Sequence, residues 1–308
     1  MRFIVSKVFG ICLALMTAGG ALAADAKVRI GYTAVSDFAS VFVAKERGIF
    51  AKNNIDAELT LVAISSTTPA ALQSRSLDVG GITPPILLQA IAGDLKLMVV
   101  SGVSVPGDTL IFGVMARNGL SIKNPKDIEG KKVGVPGLGA TLQILFIRWL
   151  KGQGVDPKSV TFVEAAFPAH ADLLKAGTVD LVVTAQPNID RILSAGVGTT
   201  VVDLGADSRG RPGAYWVSSA AWVQANAETA KKFRESVREA GVLMAANPAI
   251  TREDMGKYIK LPPPVIASMP LPNVVADVKL DDLDWWIGVL KDQNLLDRPI
   301  KPADIVMK

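Results

Sequence analysis

Cysteine is almost absent from this chain. Of 308 residues, one is cysteine (Cys12) and one is histidine (His170). Cys12 sits in an N-terminal apolar segment; without that segment, no disulfide, thiolate nucleophile or cysteine metal site is available. His170 has no carboxylates at tight spacing around it, so no metal centre is expected. Aromatic residues make up only 6%, which favours tight α/β packing over a stacking surface. A charge excess of one sign is also lacking: 33 Lys and Arg are dispersed among 29 Asp and Glu, for a formal charge of +4. No cationic run offers nucleic acid a footprint. There is no phosphate loop ending in lysine and serine or threonine, and no serine nucleophile elbow. The glycines of Pro136 to Thr141 lack dinucleotide spacing. No cofactor is expected.

What is present is a chain that is 49% hydrophobic and 20% charged, enough for a packed core and about two domains. Arg2 and Lys7 give a positive start, Val8 to Met16 an apolar run, and Ala21-Leu22-Ala23 small residues at both positions a signal peptidase inspects. The run is shorter than the ~20 residues that span a bilayer. Residues 1–23 are therefore expected to be a signal peptide cleaved after Ala23. Loss of Arg2 and Lys7 takes the formal charge to +2. Cys12, preceded by Phe9-Gly10-Ile11, is in the wrong context for a lipoprotein, so the mature chain is expected to be soluble and periplasmic. No later stretch is long and apolar enough to span.

Strand-like and helix-like segments then alternate. Val28 to Tyr32, Ala57 to Ala63, Leu77 to Gly80 and Leu95 to Val103 read as strands between helices at Val41 to Arg47, Thr68 to Arg75 and Pro84 to Ala92. The pattern restarts at Leu110 to Ala116 and runs through strands near Lys132, Val160, Val179 and Thr199. This predicts two α/β units of similar size, each with a largely parallel sheet. Ala71 to Val79 and Leu173 to Leu181 resemble each other: a helix ends, a turn follows, and Asp78 or Asp180 precedes a short apolar strand. Ligands of such open sheets bind at the C-terminal strand ends. Ala227 to Ala246 reads as an amphipathic helix, and Trp285-Trp286 as an anchor for the last helix on the first unit.

The order of several weak motifs is more specific than any one of them. Gly31-Tyr32 with Ala44-Lys45-Glu46-Arg47-Gly48-Ile49-Phe50, then Leu72 through Gly80, Ile128 through Val135, Leu174 through Asp180 with Pro187, and Asp284 through Leu296 span nearly all of the mature chain. In that order they resemble the nitrate/sulfonate/taurine group of ABC-transporter substrate-binding proteins, which includes thiamine-pyrimidine-precursor relatives. The resemblance implies a type-II periplasmic-binding-protein fold: two α/β lobes joined by two crossing strands, with a ligand cleft between them. Residues 24–108 and 214–308 would form lobe 1 and residues 109–213 lobe 2, with crossings near Val105 to Ile111 and Gly213 to Val217. The implied function is a receptor that hands a small molecule to an ABC transporter permease in the inner membrane. It is expected to act as a monomer, with no nucleic acid and no catalysis. An enzyme on the same fold, such as a pyrimidine-precursor synthase, or a ligand-presenting sensory module, is the alternative.

The loop Pro136-Gly137-Leu138-Gly139-Ala140-Thr141 follows a strand and opens a helix, where backbone amides and the helix N-terminus can receive a guest. Leu138 and Ala140 stand where relatives often carry hydroxyls. In the first unit, Ser36 and Phe38 are candidate contacts, and Asp37 is either a contact or a helix cap. Ser65, Ser66 and Thr67 offer hydroxyls, one of them expected to cap. Ile82 and Thr83 close the third strand, with Thr83 a cap or a contact. Phe167, the amides Gln186 and Asn188, and Trp216 as an aromatic wall complete the candidate set. The apolar character of these loops points to an organic solute, with a small sulfonate or carboxylate as the expected class.

Overall fold

The computed structural model describes residues 25–105 and 111–308. The signal peptide expected over residues 1–23, with Cys12, lies outside them, as does most of the first crossing, residues 106–110. Among the described residues, no helix is long and apolar enough to cross a membrane.

The first half-sheet is built from β1 (Ala26–Tyr32), β2 (Ile55–Leu61), β3 (Val79–Ile82) and β4 (Leu97–Gly102). Between them run α1 (Ala39–Glu46), α2 (Ile49–Lys52), α3 (Thr68–Gln73) and α4 (Pro84–Ala92). Prolines occupy the first positions of α4, where a missing N–H costs nothing. After the two-residue β5 (Ser104–Val105), the chain enters a second sheet. Its strands are β6 (Phe112–Arg117), β7 (Lys132–Val135), β8 (Thr161–Glu164), β9 (Leu181–Ala185) and β10 (Gly198–Asp203). Its helices are α5 (Thr141–Gly152), α6 (His170–Lys175) and α7 (Asn188–Ser194), followed by the short α8 (Gly205–Ser208). The chain then returns to the first sheet as β11 (Tyr215–Ser219).

The helical remainder comprises α9 (Ala220–Ala225), α10 (Ala227–Ala246), α11 (Pro248–Tyr258), α12 (Pro263–Ser268), α13 (Leu280–Asp292) and α14 (Pro302–Ile305), with β12 (Asn273–Val274) paired to β5. The amphipathic pattern of α10 buries Ala230, Phe233, Val237 and Ala240 against α1 and β4. Trp286 is fully buried in α13 and donates its indole N–H to the Pro212 carbonyl (3.3 Å). Trp285 is not a lobe-1 anchor alone: Arg148 of α5 and Arg211 lie 5.9 and 4.9 Å from its ring centre. Helix α13 thus touches both lobes.

The strand orders are β2-β1-β3-β11-β4 and β10-β6-β9-β7-β8. Read from the other end, the second order matches the first position by position. Four of the five strands in each sheet share one direction, as expected of a largely parallel sheet, and one runs against them: β11 is antiparallel to β3 and β4, and β6 to β9 and β10. Each antiparallel strand is the one entered directly after a crossing. It starts at the end of the sheet where the parallel strands finish. Both kinds of end therefore meet between the two sheets, and this is what forms the cleft.

The repeat seen in the sequence is also a repeat in space. Asp78 opens β3 and accepts hydrogen bonds from the Arg29 backbone N–H, Nε and Nη2 at 2.9, 2.9 and 2.7 Å. Asp180 opens β9 and accepts from the Lys132 backbone N–H (3.0 Å) and Arg117 Nε (3.3 Å). Each carboxylate satisfies an N–H on a neighbouring strand that the short ladder leaves over.

Candidate functional site

A small cleft, part of it open to solvent, lies between the two sheets. From lobe 1 it is lined by Thr33, Val35, Asp37, Phe38, Ser65 and Thr83. Lobe 2 contributes Phe112, Pro136, Ala140, Thr141, Leu142 and Phe167. Gly81, Ala185 and the Gly213-Ala214 pair before β11 complete the wall.

Seven residues singled out in the sequence meet here: Asp37, Phe38, Ser65, Thr83, Ala140, Thr141 and Phe167. Asp37 does not cap α1, whose N-terminal residue Phe38 has no side-chain capping bond. Its Oδ1 instead accepts from the Ser104 hydroxyl at 2.6 Å, and burial pushes the carboxyl above the usual range, the Ser104 bond opposing. The Phe38 ring packs on Trp216 with centroids 5.1 Å apart. It also fills the space a side chain at Gly81 would need, 2.2 Å from an ideal Cβ. Thr83 occupies the N-cap position of α4 but makes no capping bond, and its buried hydroxyl has no partner among the described residues. The Thr141 hydroxyl donates to the Gly213 carbonyl (3.1 Å), tying α5 to the return crossing.

The other candidates serve different ends. Ser36 is buried, and both its N–H (3.2 Å) and its hydroxyl (3.3 Å) donate to the Gln186 carbonyl across the two lobes. The Gln186 amide turns away, donating to Asp190 (2.9 Å), and Asn188 is buried with its amide directed at the Ala185 carbonyl (3.4 Å). Ser66 donates to Glu164 (2.8 Å) across the lobes. Thr67 is exposed and bonds the Ile64 carbonyl, so no hydroxyl of this loop caps α3. Ile82 and Trp216 belong to the core, fully buried. Trp216 is no cleft wall: β11 lies between β3 and β4, and Tyr215, Trp216 and Val217 along it are all fully buried.

The glycine loop carries the largest correction. Gly137 does not line the cleft; it lies where the lobes touch, and an ideal Cβ there would sit 2.5 Å from Ser65 Oγ. The Leu138 N–H donates to Glu164 (2.9 Å) and the Gly139 N–H to Gln143 (2.7 Å), while the Leu138 side chain is exposed. The amides expected to hold a guest are thus bonded to the protein's own side chains.

Thr33 and Ala185, lining residues not foreseen, sit at or just past the C-terminal ends of β1 and β9, as Pro136 at the head of the glycine loop does for β7. The strand-end rule could have found these. Phe112 and Gly213-Ala214 could not be found that way, because they precede the two antiparallel strands.

Across the cleft the lobes bond directly: Ser36 to Gln186, Ser65 N–H to the Pro136 carbonyl (3.4 Å), and Gln89 to the Gly139 carbonyl (3.3 Å). Among the described residues, none that lines the cleft is lysine, arginine or histidine. The His170 imidazole is not in the cleft. It is fully buried at the start of α6, bonded to the Ala165 carbonyl (2.9 Å), and burial lowers its pKa to about 4.

Known proteins share this architecture. The alkanesulfonate-binding protein SsuA of Xanthomonas axonopodis pv. citri, solved with MOPS, superposes with a TM-score of 0.78 at 19% identity, over 91% of this chain and 98% of that one. The periplasmic nitrate-binding protein NrtA of Synechocystis PCC 6803 gives 0.76 at 19% identity, over 91% and 84%. At such identities the likeness establishes the periplasmic-binding-protein fold. In sequence, a Brucella abortus protein described as a binding protein is 27% identical over 248 residues, 78% of this chain and 74% of that protein. The profile of the NMT1-like family matches residues 22–259, more than half of the sequence, and the chain belongs to that family.

Proposed function

We propose that this chain is the solute receptor of an ABC import system, exported to the periplasm, where it captures a small organic molecule between its lobes and presents the closed form to a permease. The observation that carries the reading is the cleft itself. It lies at the strand ends where open α/β sheets bind ligands, and is lined from both lobes. A ligand touching both faces adds contacts that exist only when the lobes are together, which is how it can favour closure. The names of the sulfonate- and nitrate-binding neighbours and of the Brucella binding protein support the same reading. The domain division, lobe 1 from residues 24–108 and 214–308 and lobe 2 from 109–213, is part of this proposal, as are action as a monomer and cleavage after Ala23.

An anionic solute, the class expected from the sequence, would meet no basic side chain among the described residues that line the cleft. The amides of Leu138 and Gly139 are also engaged elsewhere. The receptor reading therefore goes forward with an organic solute of small size.

The test is retention. Residues 24–308 are incubated with a small-molecule cell extract, washed and denatured, and the released compounds are identified by mass spectrometry. A stoichiometric bound compound, with scattering that reports a more compact protein in its presence, supports the receptor. Failure to retain any small molecule, with turnover of one in the extract, would move the reading to an enzyme.

A further inference from the structure

The charge inside the cleft is of one sign. Among the described residues that line the cleft, Asp37 is the only ionisable side chain. Its Oδ1 accepts from Ser104, and no cation pairs with it among the described residues. An ionised carboxylate in low-dielectric surroundings without a counter-charge is costly, and burial indeed raises its pKa. Apolar groups line the same cleft: Phe38, Phe112, Phe167, Leu142 and Val35. Thr83 adds a buried hydroxyl without a partner among the described residues.

Resting on the receptor reading, we propose that the solute is a small organic cation, an amine or amidine on a compact apolar body. Its N–H groups bond the Asp37 carboxylate, and its body packs among Phe38, Phe112 and Phe167. The charge-assisted bond supplies the counter-ion that the protein lacks. The phenylalanine rings accept the apolar body and favour positive charge at their faces. Thr83 then has a polar group of the solute to bond. Lobe 1 holds the charge and orients the solute; lobe 2 closes an apolar cover over it.

The experiment uses matched aromatic probes on the chain from Ala24: benzylamine and benzamidine as cations, benzenesulfonate and benzoate as anions. Dissociation constants come from thermal shift and calorimetry at neutral pH. The cations are expected to bind at least about tenfold more tightly than the anions. Asp37→Asn should weaken the cations by about tenfold to a hundredfold, the range of a charge-assisted hydrogen bond. It should leave or raise the melting temperature of the free protein, since it removes an uncompensated charge. That last readout separates loss of the site from loss of the fold.

Tighter binding of benzenesulfonate or benzoate, or an undiminished cation preference in Asp37→Asn, overturns the cation proposal and leaves the receptor reading standing. So does binding of none of the four while the retention experiment yields a bound anion. Retention of no compound at all overturns the receptor reading itself, and the cation proposal with it.

Discussion

The two lobes share one plan and differ in what they bring to the cleft. Both sheets place an antiparallel strand fourth from the β2 or β8 edge, and both tie a neighbouring strand to an aspartate at the head of the third. At equivalent loops the chemistry then diverges. After β2, lobe 1 carries Ser65 in a short 3-10 turn; after β8, lobe 2 carries Phe167 in the same kind of turn. After β1 comes Asp37, whereas after β7 come Pro136 and Gly137, with no charge. A common scaffold thus carries polar and charged groups on the cleft loops of one half and mainly apolar groups on those of the other. The scaffold aspartates and the cleft loops can vary independently because they sit at opposite ends of the strands.

The sharpest way to separate the lobes is acid. Thr68 and His170 open the equivalent helices α3 and α6, both buried, but only His170 can take a proton. Its folded-state pKa of about 4 lies below the ordinary 6.5, so the unfolded chain binds the proton first. The stability this confers is present above about pH 6.5 and drains away as pH falls toward about 4, to a total of about 3 kcal/mol. Denaturant melts across that window should show the loss, and His170→Gln should flatten it. An unchanged slope in that variant would mean that the imidazole is not the group responsible.

The paired aspartates come next. Asp78 is the more buried and takes three bonds from Arg29, so Asp78→Ala should cost about 2–3 kcal/mol. Asp180 is more exposed and its Arg117 bond is longer, so Asp180→Ala should cost about 1 kcal/mol. Equal losses in chemical denaturation would show that burial does not set the difference.

Smaller still are effects on closure. Gly137→Val would press on Ser65 where the lobes meet, leaving each lobe's core intact. It should weaken solute binding by about tenfold by favouring the open state, with a larger radius of gyration and little change in melting temperature. Ser66→Ala removes one exposed cross-lobe bond to Glu164, and should change affinity by about twofold to fivefold. Calorimetry on both variants ranks the two contacts; a larger effect from Ser66→Ala would reverse their assigned roles.

The α/β alternation, the Asp78–Asp180 repeat and the amphipathic α10 were legible in the sequence because each depends on local periodicity or on turn chemistry. The family was legible too, since its motifs run in order along the chain. Strand direction was not: β6 and β11 are antiparallel because of crossings, and a crossing leaves no periodic trace. The cleft was legible only at the level of loops. Ser36 meets Gln186 across 150 residues of chain and Asp37 meets Ser104 across 67, and which loops touch depends on how two lobes dock. The same docking and packing placed Gly137 at a lobe contact, engaged its neighbours' amides, and buried Trp216. The sequence by itself determined the elements, the repeat and the membership of a family, because these follow from near neighbours. Only the tertiary structure decided that a carboxylate of one lobe shares a cleft with apolar groups of the other, because that depends on groups brought together from both halves of the chain.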